Sequence, residues 1–268
     1  MSRRSSIVSA CIAFTLFGAA LAHGAVIIMT PEVVHDLTAG GTVTVNSAIF
    51  STTDQQPTGS GVIHSFVRVS AANQSIVEGY NTDGRPLQFD ENTSAIFTRS
   101  QKLSDMKIVT VGNEDYYKFL LDINQQANDP LLTLNEVEIY LGNAPNLLSY
   151  SPNRSAGGTG FGANSTFVYD LDFGTDNALD LNYNLNAGSG SGDMYAFIPK
   201  RLFTGPNNYV YLYSKFGVPH ANNDGFEEWA AIEGPNNVVP EPSALLATVL
   251  LSLLLAARIR PARRFCIA

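Results

Sequence analysis

The chain has 268 residues, a formal net charge of −8, 45% hydrophobic residues and two cysteines. Six of its sixteen basic residues (Arg3, Arg4, Arg258, Arg260, Arg263 and Arg264) lie in the two ends, against one acid there, Glu241, so residues 23–237 hold ten bases and twenty-three acids, a charge of −13. That balance excludes the basic footprint needed for nucleic acid or an anionic membrane surface, and Cys11 and Cys266 both lie outside this body, which therefore needs no disulfide or thiolate metal site.

Residues 1–22 have the pattern of a signal peptide. Arg3 and Arg4 supply the basic start, Ile7 to Leu21 the apolar run, and Ala20-Leu21-Ala22 the small-x-small cleavage pattern, with Ala25 as a second exit. Val8-Ser9-Ala10-Cys11 has the form of a lipoprotein box, but the apolar stretch follows the cysteine instead of preceding it. Export by signal peptidase is the expectation. The mature body of about 215 residues is long enough for one hydrophobic core.

From Thr42 onward the pattern is apolar alternation of period two, broken by Gly, Asn, Asp and Pro. It predicts strands at Thr42–Phe50, Val62–Ser70, Lys107–Val111, Tyr116–Ile123, Asn135–Leu141, Thr166–Phe173, Leu179–Leu185, Met194–Ile198, Asn208–Phe216 and Phe226–Ile232. With no crossover helices between them, these strands imply an all-β fold, a single antiparallel β-sandwich or jelly-roll-like domain over residues 23–237.

Two of these strands suggest a hairpin. Matching Phe167, Tyr169, Leu171 and Phe173 to Leu179, Leu181, Tyr183 and Leu185 on one face puts Phe173 opposite Leu179 and Leu171 opposite Leu181. Asp172 then falls opposite Asp180, and Asp170 opposite Asn182. Such a juxtaposition calls for screening by water or for a cation. DLDFGTDNALD offers Asp170, Asp172, Asp176 and Asp180 as oxygen ligands for calcium, with Asp172, Asp176 and Asp180 as the candidate set, although glycine is at the fifth loop position and Leu181 replaces the closing glutamate of an EF-hand. A solvated acidic face is the competing reading.

Other chemistry finds little support. His23, His35, His64 and His220 lack zinc-ligand spacing, no Gly-x-Ser-x-Gly elbow occurs, and GGTGFG (Gly157–Gly162) opens onto a strand, not a phosphate-binding helix. It and GSGSG (Gly188–Gly192) are expected to be loops. Glu227 and Glu228 are adjacent, so on a strand they point to opposite faces and do not flank one glycosidic bond. Tyr209, Tyr211 and Tyr213 alternate with Val210 and Leu212; facing outward they form a stripe for stacking on sugar rings, and facing inward they are core.

The tail, residues 238–268, joins Pro240-Glu241-Pro242 to fifteen uncharged residues, Ser243 to Ala257, and then Arg258, Arg260, Arg263 and Arg264. As a helix the apolar run spans about 22 Å, short of the ~30 Å hydrocarbon core, and the arginines stop it on the cytoplasmic side. This arrangement resembles the PEP-CTERM sorting signal, whose prolines hold the chain extended at the membrane face. FLLDIN with VEIYL, DMYAFIP, YVYLYS and NDGFEEW also resembles bodies often found before such tails. The resemblance implies recognition of the tail by an exosortase in the inner membrane of a Gram-negative bacterium that makes exopolysaccharide. It implies delivery to the cell surface or extracellular matrix, where the expectation is a non-enzymatic binding or structural module. The alternative is a polysaccharide-active, glycosidase-like enzyme on a β-sandwich. No cofactor beyond calcium is expected.

Overall fold

The computed structural model describes residues 32–53, 64–70, 74–152, 157–188 and 192–231. The expected signal peptide with Ala20 and Ala22, the expected 243–257 span, Pro240-Glu241-Pro242 and the terminal arginines all lie outside these residues. No helix among the described residues is long and apolar enough to cross a membrane.

In chain order the strands are β1 (Val33–Asp36), β2 (Thr42–Val45), β3 (Ala48–Ser51), β4 (Ser65–Val69), β5 (Val77–Tyr80), β6 (Gln101–Lys102), β7 (Ile108–Val111), β8 (Glu114–Asp122), β9 (Leu131–Gly142), β10 (Ser165–Asp170), β11 (Asn177–Asn182), β12 (Met194–Pro199), β13 (Tyr209–Phe216) and β14 (Glu227–Ala231). They form two seven-stranded sheets. The first runs β1-β11-β9-β13-β5, with β10 also on β9 and β6 on β13; the second runs β2-β3-β12-β8-β14-β4, with β7 on β8. The all-β sandwich is as expected, although it is not wholly antiparallel: β1 pairs with β11 in parallel, Val33 beside Asn177.

The two sheets enclose one apolar layer. Phe50, Phe66, Phe119 and Leu121 from the second sheet meet Leu134, Ile139, Leu179, Leu212 and Phe216 from the first. Truncating a ring such as Phe119 to alanine costs about 3–5 kcal/mol. Trp229 on β14 reaches across this layer, its Nε1–H donating to Ser214 Oγ on β13 at 3.0 Å, so a buried polar pair ties the sheets together.

Two expectations about local structure require correction. Thr42–Phe50 is not one strand but a hairpin, because Asn46 and Ser47 both take positive φ (48° and 73°) and reverse the chain between Val45 and Ala48, as a two-residue primed turn requires. Asn46 Nδ2 then donates to the carbonyls of Asp170 and Leu171 at 3.1 and 2.8 Å, anchoring the turn to the end of β10.

The second correction concerns β10 and β11, which do not pair with each other. Both lie along the same edge of β9: Asp170 faces Glu138 and Leu179 faces Leu134. Nine residues of this edge therefore span four of β9, leaving a five-residue excursion between two halves of what is otherwise one strand. Leu181 faces Leu132 rather than Leu171, and Tyr183–Leu185 leave the sheet as a 3-10 turn. Apolar alternation matched the two segments equally well as a hairpin or as collinear halves, and β9, apolar on its inner face, offered both a partner.

Candidate functional site

The first sheet has an outer face built by strand alternation. On β13 Val210, Leu212 and Phe216 point into the sandwich, which sends Tyr209, Tyr211, Tyr213 and Lys215 outward. The tyrosines do not form an open stripe. Tyr211 and Tyr213 are each 1% exposed, packed with Tyr80, Tyr140, Tyr150 and Phe161 in a second, aromatic core outside the sheet. Tyr211 Oη donates to the Ala144 carbonyl at 2.6 Å and accepts the Leu147 N–H at 3.0 Å; burial above all pushes its hydroxyl up to about 12. The rings are spent on packing, with Phe161 from GGTGFG tilted at 56° to Tyr211, their centroids 4.5 Å apart. That glycine segment is thus partly structural: a Cβ on Gly160 would meet Tyr140 Cε1 at 2.5 Å.

Beside the rings lies a belt of carboxylates. Glu138 on β9 and Asp170 on β10 are direct cross-strand partners, 1% and 3% exposed. Tyr140 and Tyr150 hydroxyls donate to Glu138 Oε2 at 2.7 and 2.9 Å, while Asp170 Oδ1 accepts the Asp172 N–H at 2.7 Å. Tyr213 donates to Glu78 in the same belt. Burial first, and then these carboxylates, raise the Tyr150 and Tyr213 hydroxyls far beyond the ordinary tyrosine value, so both remain donors.

The belt opens into a cleft of about 230 Å³ lined by Glu32, Ile76, Asn135, Glu136, Asp172, Asp176, Lys215 and Val218. Lys215 Nζ lies 3.9 Å from Glu136 Oε1 and is the cation of the cleft lining. Asn135 fixes one rim, donating to the Val218 carbonyl at 2.6 Å and accepting the Val218 N–H at 3.0 Å. Ile76 and Val218 stay 41% and 47% exposed there. Burial drives Glu136 up to about 7 against the pull of Lys215, with Glu138, Glu78 and Asp170 adding to the rise. Asp172 rises to about 8 for the same leading reason, opposed by the Asn177 N–H and reinforced by Asp170, Glu136 and Asp176. Glu32 is raised as well, by burial and then by Asp176. Such a cleft presents oxygen acceptors, and carboxyls that still hold protons near neutrality.

The aspartates of DLDFGTDNALD are therefore distributed. Asp172 and Asp176 meet in the cleft; Asp170 stays in the belt; Asp180 is engaged elsewhere, accepting the Thr133 hydroxyl at 2.6 Å and lying 3.6 Å from His220 Nε2. Asp172 does not oppose Asp180. Among the described residues no three carboxylate or imidazole side chains stand at metal-ligand spacing. Glu32, Glu136 and Lys215 were missed, and the signal that could have found them is the acid-apolar alternation of NEVEIY over Asn135–Tyr140 opposite the YSKF end of β13. Comparison with known proteins finds no matching family model, no matching curated protein and no matching solved structure.

Proposed function

We propose that the chain is exported through its signal peptide and sorted by an exosortase through Pro240-Glu241-Pro242 and the following tail, passing through the inner membrane to the cell surface or extracellular matrix of a Gram-negative bacterium. There the sandwich acts as a non-catalytic binding or structural module associated with exopolysaccharide. The cleft carries the ligand reading. Glu32, Glu136, Asp172 and Asp176 supply acceptors for hydroxyl groups, while exposed Ile76 and Val218 supply apolar contact for C–H faces. Its negative character selects a neutral or amine-bearing chain over an acidic one. A stacking stripe plays no part, since Tyr211 and Tyr213 are buried and leave Tyr209 alone half-exposed.

The test is retention of the full chain on polysaccharide from its own host. Glu136→Gln should weaken binding about tenfold, the value of one charge-assisted hydrogen bond. Equal behaviour of wild type and variant, or no retention of either, overturns the ligand reading.

A second reading, a polysaccharide-active enzyme, draws on the elevated Glu136 and Asp172, which place two carboxyls in the range suited to proton transfer. It requires release of reducing ends by the wild type and loss of that release in both Glu136→Gln and Asp172→Asn.

A further inference from the structure

Among the described residues one aromatic ring stands mostly in solvent. Phe173 is 58% exposed, whereas Phe161, Tyr211 and Tyr213 of the outer aromatic core are buried. It belongs to residues 172–176, the excursion between β10 and β11, where Asp172 beside it and Asp176 at the far end both line the acidic cleft. Apolar side chains scattered singly over a surface are common, and exposure alone assigns no role. This ring, however, is held in place.

Phe173 stacks on Phe167 with the ring centroids 6.2 Å apart and the planes at 30°. Phe167 in turn meets the Tyr140 ring edge-on at 5.9 Å and packs against the outer aromatic core. The backbone is braced as well. Phe173 N–H donates to the Asp170 carbonyl at 3.3 Å. Asn177 donates through its N–H to Asp172 Oδ1 at 2.9 Å, and through Nδ2 to the Leu171 and Thr175 carbonyls at 2.9 and 2.6 Å. Gly174 takes φ 83°, a left-handed turn that glycine adopts at little cost. The bonds that hold Asp172 in the cleft wall therefore also fix the ring next to it.

We propose that Phe173 forms a second sugar subsite beside the cleft, so that one pyranose unit of the polysaccharide lies in the cleft and the next lays its C–H face on the Phe173 ring. The subsite rests on the ligand reading of the cleft given above. A pyranose carries hydroxyls around its rim and C–H bonds on its faces. The electron-rich face of a phenyl ring attracts those weakly positive hydrogens, while the carboxyls of Asp172 and Asp176 accept from rim hydroxyls. A ring already fixed by stacking gives up little side-chain freedom on binding. The unit taken here is uncharged, because a charged substituent pressed on the phenyl face would lose water without gaining a partner. Two adjoining subsites read the ligand as a chain of at least two linked sugars.

The experiment titrates the full chain with oligosaccharides of one to four sugars cut from the polysaccharide of its host. Wild type should bind the two-sugar fragment more tightly than the single sugar. Phe173→Ala should weaken binding of the two-sugar fragment about two- to tenfold, the value of one aromatic contact, and leave the single sugar unaffected. Phe173→Trp should restore the affinity. Phe173→Leu keeps an apolar side chain without a π face, so the upfield ring-current shifts expected on the C–H protons of the second sugar should appear with wild type and vanish with this variant; a melting scan checks that each variant folds. Wild-type affinity in Phe173→Ala, beside a loss in Glu136→Gln, overturns the subsite and leaves the cleft reading intact. Equal loss for one and two sugars in Phe173→Ala also overturns it, since the ring would then only shape the cleft. No binding of any fragment by wild type removes cleft and subsite together.

Discussion

Asp170 faces Glu138 directly across the β9–β10 pair, two buried carboxyls side by side in a sheet. Like charges in that position repel, and the arrangement persists because the Tyr140 and Tyr150 hydroxyls both donate to Glu138. Tyr150→Phe keeps the ring and removes one donor. It should destabilise the fold by about 1–3 kcal/mol, the value of one buried hydrogen bond to a carboxyl, with Tyr140 remaining as a donor. Urea denaturation measures this, and a double-mutant cycle with Glu138→Gln should show that the loss is largely shared between the two residues.

Glu136 and Asp172 set a pH dependence. Their folded values, about 7 and about 8, lie above those of the unfolded chain, so between about pH 4 and pH 8 the folded state binds more protons than the unfolded one. Stability is then highest at the acid end of that window and falls as the pH rises through it. Asp193, raised to about 8, contributes with the same sign. Urea midpoints in EDTA should decline from about pH 5 to about pH 8, and Asp172→Asn should shallow the decline without removing it. A midpoint that rises over this range contradicts the assignment.

Arg68 and Glu228 form a pair whose side chains are 14% and 5% exposed. Arg68→Met should cost about 3–5 kcal/mol by leaving Glu228 buried and unanswered, whereas adding Glu228→Leu should recover much of that loss. Calorimetric melting of the two variants separates the value of the pair from the penalty of breaking it. Equal destabilisation of single and double variants would show that packing between Phe97 and Phe226 matters more than charge.

Sorting has its own test. Replacing Pro240-Glu241-Pro242 with three alanines should leave export intact and the tail uncut. Mass spectrometry of the mature C-terminus reads the outcome; in a host with an exosortase, a wild-type product ending at Ala268 refutes processing.

The sandwich was legible because alternation in DMYAFIP and YVYLYS marks which side chains share a face. Alternation does not say what covers a face. Tyr211 and Tyr213 do point away from the main layer, yet Tyr150 and Phe161, more than fifty residues from β13 in places, close over them. Short β5 escaped notice because VEGY has a glycine at its centre. That glycine is needed, since a Cβ on Gly79 would meet Glu91 Cγ at 2.6 Å and Val69 Cγ1 at 2.8 Å. The expected opposition of Glu227 and Glu228 was readable from strand geometry. That Glu228 stands in one row with Asp122 and Asp193 depends on β8, β12 and β14 becoming neighbours, information that no local pattern carries.

The divided edge strand has a consequence for variation. Because β10 and β11 are each pinned to β9 on their own and Leu171 N–H still donates to Val137 of β9, the segment from Asp172 to Asp176 can change length without shifting the hydrogen-bonding frame on either side. It also supplies Asp172 and Asp176 to the cleft wall. Residues inserted there would reshape the recognition surface while the ladder stayed in register, which makes this short excursion the natural place to graft a new specificity onto the sandwich.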